Sequence, residues 1–190
     1  ICTSPRPRRL LYLFSGPHHE GDMAAIARTM NVEVDMIDGR IDDKHDLLDD
    51  ITVDMLIISI RANRYDGVLM APPGSTFSSA RGQHDGPPPL RGPDEKSIYG
   101  LPNLQHDDKK KVREATSLAL RCLQFARACR QVDIPFVIEN PAHIKPEDPN
   151  LFNLPEYKKE IDAGNLILNR VCQCNYGAAT MKPTTLAAEF

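Results

Sequence analysis

Four short segments of this chain place glycines, acids or prolines where apolar runs end, and a fifth, with an acid, precedes such a run. They are Phe14-Ser15-Gly16-Pro17, Asp38, Asp46-Leu47, Ala71-Pro72-Pro73 and Glu139-Asn140-Pro141. A glycine just after a strand lets the backbone approach a bound molecule closely. An acid at the end of the following strand, Asp38, can accept both hydroxyl protons of a ribose. A second acid, Asp46, can accept a hydrogen bond from an adenine amino group. Together they suit a ligand that contains adenosine. The glycines do not follow G-x-G-x-x-G, and no G-x-x-x-x-G-K-[ST] phosphate loop is present. An adenosine ligand without a phosphate cradle points toward S-adenosylmethionine. Any one of these acids taken singly is equally well read as a cap or turn residue, Asp38-Gly39 above all. It is the constellation that favours a site.

These segments need elements to position them. Arg9 to Phe14 is a short apolar run that ends at Ser15-Gly16-Pro17, as a buried strand entering a turn does. Met23, Ile26, Ala27 and Met30 fall at helical spacing within Glu20–Met30. Val32–Ile37 alternates apolar and polar residues and reads as a second strand. Ile51–Ile60 is apolar enough for a helix or a strand, and a helix is favoured because parallel strands need a crossover. Asp66–Met70 is the next strand. Residues 71 to about 107 form a long Pro- and Gly-rich loop, of the length that is usually functional or disordered. Val112, Ala115, Ala119, Cys122, Leu123, Ala126 and Cys129 make one apolar helical stripe. Ile134–Ile138 is a further strand, Pro155–Ile161 a short helix, and Leu166 to Cys174 the last strand. Strands that alternate with helices predict an α/β fold, Rossmann-like, with a largely parallel central sheet and helices on both faces. Ligands of such folds bind beyond the carboxyl ends of the strands, so the five segments are expected to gather at one edge.

The 190 residues suit one domain, read as a basic extension over residues 1–8 followed by residues 9–190. The start without Met and the abrupt end suggest a piece of a longer protein. Hydrophobic residues are 41% and charged residues 26%, ordinary for a globular chain, and no apolar run is long enough for a membrane span. The net charge of −3 leaves nucleic-acid contact to local patches. Two exist: Arg6, Arg8 and Arg9, and Lys109, Lys110, Lys111 and Arg113. The bland reading of both, a solvated terminus and a helix end, is the stronger one. Five cysteines, an odd number, indicate a reducing intracellular setting, nuclear or cytoplasmic. Cys172 and Cys174 form a C-x-C pair, a weak zinc signal on its own. His18-His19-Glu20 is read as polar capping. His84, Asp85, His106 and Asp107 lack metal-ligand spacing, and no metal site is expected. Tyr65 and Tyr99 are candidates for stacking on a base or for packing.

Taken in order, these motifs resemble those of the DNA cytosine-5 methyltransferases. Leu13-Phe14-Ser15-Gly16 looks like that family's first, cofactor-binding motif. Pro72-Pro73-Gly74-Ser75-Thr76-Phe77-Ser78 looks like its catalytic Pro-Pro-Cys loop, and Glu139-Asn140 like its Glu-Asn motif. Gln173-Cys174-Asn175-Tyr176-Gly177 with Lys182-Pro183-Thr184 is similar to a divergent branch found in phages and in retrotransposon or polyprotein contexts. So are Gly86–Arg91 and Gly100–Leu104. The resemblance spans about residues 10 to 186. It implies S-adenosylmethionine or S-adenosylhomocysteine at Phe14, Ser15, Gly16, Asp38, Asp46, Leu47 and Pro72. It implies DNA, through a cytosine flipped from the duplex, at Pro73, Ser75, Arg81, Asn140 and Gln173. In the family a thiolate adds to cytosine C6, a carboxyl group at the Glu139 position holds the N3 edge, and C5 then takes the methyl group.

The chain departs from this pattern at the nucleophile, where Gly74 stands in place of Cys. Ser75 is adjacent but has no activating His nearby, and Cys172 or Cys174 would serve only as relocated nucleophiles. Gly74 is either an engineered change or a natural one that leaves a non-catalytic module binding nucleic acid or protein. Asn175 takes a slot that many members fill with Arg, and no target-recognition region is visible. Arg81 and Arg91 are expected to contact phosphate or base. An amino-group methyltransferase is disfavoured, because Ala71 and Gly74 take the places of its Asp or Asn and its aromatic residue.

Overall fold

Period-two runs and helical stripes largely become the elements their patterns predict. A computed structural model describes residues 7–82, 85–177 and 179–189. Cys2 and Arg6 of the expected extension, and His84 of the loop, lie outside the described residues. The chain divides into two compact units, one built from the segment up to Ala71 with Gln124–Phe136, the other from Pro72–Leu123 with Val137 onward.

The first unit carries β1 (Arg8–Leu13), α1 (Met23–Thr29), β2 (Val32–Ile37), α2 (Asp50–Arg61) and β3 (Gly67–Met70). β1 lies between β2 and β3 and is parallel to both, in register from Arg8↔Val32 to Leu13↔Ile37 and from Leu10↔Gly67 to Leu13↔Met70. Leu11, Leu13, Val68 and Met70 are buried, as the apolar runs require. Both crossover helices start on acids. Asp22 accepts from Ala25 N at 2.7 Å, and Asp49 from Thr52 N at 2.9 Å. Parallel strands joined by helical crossovers make this unit the Rossmann-like part of the α/β fold. α2 buries only Val53 and Ile60. Its Ile51, Met55 and Ile58, at one-turn spacing, are each more than 60% exposed.

α3 (His106–Arg130) contributes residues 106–123 to the second unit and residues 124–130 to the first. All seven residues of the apolar stripe that begins at Val112 are buried. The helix starts six residues before that stripe, because its first turns are polar and need no core partner.

The second unit adds β4 (Phe136–Pro141), α4 (Pro155–Asp162), β5 (Ile167–Cys172) and β6 (Pro183–Ala188). β6 was not expected from sequence and changes the strand pattern. It lies between β4 and β5 and is antiparallel to both, from Val137↔Ala188 to Pro141↔Thr184 and from Ile167↔Ala188 to Cys172↔Pro183. β5 also ends at Cys172, two residues earlier than expected, and Gln173–Tyr176 turn as a short 3-10 helix. α4 opens on Pro155, whose missing N–H costs nothing there. Tyr157 is buried and donates to Ala119 O at 2.7 Å, and its ring meets Phe152 edge-on at 5.6 Å.

Candidate functional site

The first unit assembles the residues expected to hold adenosine. β1 gives way to Phe14, which adopts a left-handed φ of 61° and donates from its N–H to Ile37 O at 2.8 Å. Gly16 follows at φ 71°, a conformation that favours glycine. Its N–H donates to Asp38 Oδ2 at 2.9 Å, tying the turn after β1 to the end of β2. Asp38 is buried. Its other donors all come from Arg40: the backbone N–H at 2.8 Å, Nε at 3.1 Å and Nη2 at 2.9 Å. Burial pushes the Asp38 carboxyl up, but the Arg40 and Gly16 donors outweigh it and hold the pKa below the ordinary carboxylate value.

Gly39 packs against the second acid. A Cβ there would stand 3.4 Å from Asp46 Cα, so the turns carrying Asp38 and Asp46 touch. Asp46 is exposed and accepts from Leu48 N at 2.9 Å, while Leu47 is buried beneath it. Ser15 donates to Gly16 O at 3.1 Å and steadies the same turn. Phe14, Ser15, Gly16, Asp38, Asp46 and Leu47 thus all belong to one unit.

The base-side residues meet in the second unit. Asn140, fully buried on β4, donates from Nδ2 to Pro72 O at 3.2 Å. Asn140 Oδ1 and the neighbouring Glu139 Oε1 are buried and have no hydrogen-bond partner. The nearest cation to Glu139 is Lys182, with Nζ 3.6 Å from Oε1. Pro72 is buried, and Pro73 and Ser75 are exposed at the surface of the turn, which closes through Phe77 N to Gly74 O at 2.9 Å. Gly74 sits hard against β4. A Cβ there would meet Pro141 Cδ at 2.8 Å and Cγ at 3.1 Å, closer than packed carbons approach. A side chain at position 74 would have to displace the Pro141 ring.

Gln173 and the Lys-Pro-Thr motif come together as the sequence grouped them. Gln173 N donates to Lys182 O at 3.1 Å, and Gln173 Nε2 to Thr184 Oγ1 at 3.2 Å. Cys172 and Cys174 lie with their sulfurs 2.8 Å apart. That contact favours the Cys172 thiolate and holds its pKa below the ordinary thiol value, while that of Cys174 is raised. β6 separates β5 from β4, so Cys172 is two strand spacings, about 10 Å, from the strand that Gly74 touches.

The two arginines differ from expectation. Arg91 is buried and cannot reach a phosphate. Its guanidinium donates to Thr76 Oγ1, Ile98 O, Val112 O and Thr116 Oγ1 and lies 3.8 Å over the Phe77 ring. It pins the proline-rich loop to α3. Burial lowers its pKa to about 10, so it stays charged at neutral pH. Arg81 bonds Ser75 O at 2.8 Å and Pro88 O at 2.9 Å and braces the same loop from outside.

No family model matches the chain, and no curated protein matches it. Among solved structures it is similar to the crystal structure of S. pombe Dnmt2 methyltransferase. The identity is 14% and the TM-score 0.47, over 96% of this chain and 49% of that one. The chain thus spans about half the length of that structure.

Other expectations resolve locally. His18 pairs with the helix-capping Asp22 at 2.8 Å, as polar capping requires. Among the described residues no group of three His, Cys, Asp or Glu could hold a metal, and no helix is long and apolar enough to cross a membrane. Arg9 pairs with Asp35 at 2.9 Å. Tyr65 is buried, donates to Asp35 Oδ2 at 3.0 Å and is pushed up to about 12 by burial and that carboxylate, so it packs and does not stack. Sequence reasoning missed Arg40, Pro141 and the Lys182–Glu139 contact. The Asp38-x-Arg40 spacing was the one available hint.

Proposed function

We propose that this chain is a methyltransferase-type module that binds S-adenosylmethionine and a cytosine of DNA, and that it does not turn over as written. The observation that carries the reading is the Glu139 carboxylate on β4, next in sequence to the Asn140 that holds the Pro72–Gly74 turn: its Oε1 is buried, makes no hydrogen bond and has Lys182 Nζ at 3.6 Å. Leaving a buried acceptor without a hydrogen-bond donor costs roughly 1–3 kcal/mol. The exocyclic amino group of cytosine supplies N–H donors, whereas uracil presents a carbonyl oxygen at the same place. Glu139 therefore favours cytosine and disfavours uracil.

The cofactor residues fit an adenosine by an exchange of like for like. Asp38 is ionised and its oxygens accept Arg40 N–H groups, and a ribose diol offers O–H donors in their place. The Arg40 side chain is 74% exposed and free to leave. Asp46, next to Gly39, is the acceptor for the adenine amino group. When bound, S-adenosylmethionine would supply an electrophilic methyl group. Gly74 offers no nucleophile, and the Pro141 ring against it supports glycine as the resident residue of a binding module.

The test has two separate arms. Calorimetry with S-adenosylhomocysteine should show binding that Asp38→Ala reduces at least 10-fold. Oligonucleotides with one unpaired cytosine should bind at least 10-fold tighter than the same strand with uracil, and Glu139→Ala should erase that preference. Equal binding of cytosine and uracil would sink the base-side reading, and no heat with S-adenosylhomocysteine would sink the cofactor side.

A further inference from the structure

A cavity of about 520 Å³ opens in the second unit, and its lining includes none of the residues assigned to cofactor or cytosine. One wall is α3, which presents Lys109, Arg113 and Ser117 at one-turn intervals along its face. The opposite wall is the loop Tyr99–Leu104, with Tyr99, Leu101 and Pro102 on its surface. The floor is tight. A Cβ on Gly100, at φ 129°, would come within 3.2 Å of Val112 Cγ1, so loop and helix close the bottom without a gap. Tyr99 is 41% exposed, and its hydroxyl donates to Glu156 Oε2 at 2.7 Å, which fixes the ring's orientation.

The two cations are uncommitted. Neighbouring Lys110 and Lys111 pair with Glu114 and Asp108. Among the described residues no carboxylate pairs with Lys109 or Arg113. One turn apart on a helix, their side chains can converge on a single anion, and the Arg fork suits phosphate. The apolar wall of a tyrosine ring, a leucine and a proline suits a flat ring. The volume lies within the range of small-molecule sites.

We propose that this cavity is a second nucleotide site, which takes a 5′-phosphorylated nucleotide with its phosphate on Lys109 and Arg113 and its base against Tyr99 and Pro102. The nucleotide is free or is one unit of a single strand. A neighbouring cavity of about 440 Å³ shares Leu101, Pro102 and Leu104, so apolar surface continues for a next base. The proposal stands apart from the cytosine and adenosine reading, and a thymidine probe keeps them separate because it contains neither base.

The full chain is titrated with thymidine 5′-monophosphate, thymidine, inorganic phosphate and an eight-residue thymidine oligonucleotide, with amide chemical shifts followed by NMR. The monophosphate is expected to shift residues 99–104 and 109–117. It should bind at least 10-fold tighter than either thymidine or phosphate alone. Lys109→Ala and Arg113→Ala, both at exposed positions that leave the fold intact, should each weaken binding at least 5-fold, and Tyr99→Ala should do so for the ring. An oligonucleotide that binds tighter than the monophosphate assigns the site to a strand, and equal affinity assigns it to the free nucleotide. Phosphate binding as tightly as the monophosphate, shifts elsewhere only, or an acidic peptide displacing the nucleotide completely would each overturn the assignment.

Discussion

Replacing Gly74 tests whether the fold has closed the nucleophile slot. A Cβ at this position would stand 2.8 Å from Pro141 Cδ, and that atom belongs to a ring with little freedom to move. Gly74 has no left-handed φ, so the obstacle is packing and not backbone strain. Overpacking of this kind costs about 1–3 kcal/mol. Relief of glycine's unfolded-state freedom returns about 0.4–1 kcal/mol. The net loss for Gly74→Ala is then centred on about 1.3 kcal/mol, and at this chain length that is a fall in Tm of roughly 3–5 °C. Calorimetry or circular dichroism measures it directly. Pro141→Ala removes the offending ring carbons, so Gly74→Ala in that background should cost at least about 1 kcal/mol less. If Gly74→Ala costs the same in both backgrounds, Pro141 does not close position 74.

Arg40→Ala should tighten S-adenosylhomocysteine binding by freeing Asp38, measured by calorimetry, and weaker binding would show that Arg40 contributes to the site. The Asp38 pKa lies below its unfolded value of 3.8. Its contribution to stability is therefore complete above that value and is lost as pH falls through the lower folded pKa. Acid unfolding of Asp38→Asn should accordingly show a shallower slope below pH 4 than the parent. Arg91→Leu should destabilise the second unit by roughly 2–4 kcal/mol, because Thr76 and three further acceptors lose their donor together. Loss of protease resistance in the 75–104 loop reports it. Cys172, with its thiolate favoured, should react with iodoacetamide at neutral pH faster than Cys174, and mass mapping that finds the reverse order would overturn that assignment.

What could be read from sequence was periodic or terminal. β2 matches its expected bounds, because Val32–Ile37 alternates cleanly and ends at Asp-Gly. The α3 stripe is legible because small and apolar residues repeat at helical spacing over four turns. Pro183–Ala188 was not legible. It opens on proline, carries two alanines and two threonines, and lacks the Val and Ile that mark strands. Its place between β4 and β5 comes from tertiary pairing alone. Arg91 misled because arginines are seldom buried, and only the fold supplies its acceptors. Gly74 was legible as a departure, but its cause was not, since Pro141 belongs to a distant strand. The Gly16–Asp38 link and the Pro72–Asn140 link each lie within one unit, and both pairs had been picked out by the ends of their strands.

Binding and turnover part company at a single residue. Turnover by the resembling family's chemistry needs a thiol at position 74. Gly74 has no side chain, Ser75 is exposed and its hydroxyl bonds no base among the described residues, and Cys172 is two strands away. Binding needs only acceptors and a fixed backbone. Asn140 holds Pro72 through Nδ2 and keeps Oδ1 without a hydrogen bond, and Glu139 Oε1 makes no hydrogen bond and faces Lys182. Neither depends on the missing sulfur. A chain under no demand for turnover would be free to let Pro141 occupy the slot, while the buried acceptors would still repay a ligand that satisfies them. It follows that Gly74→Cys alone should not produce methyl transfer, because the new sulfur has no room beside the ring. The paired change with Pro141→Ala is the variant in which 5-methylcytosine should first be detected by mass spectrometry, and transfer by Gly74→Cys alone would refute this account of the slot.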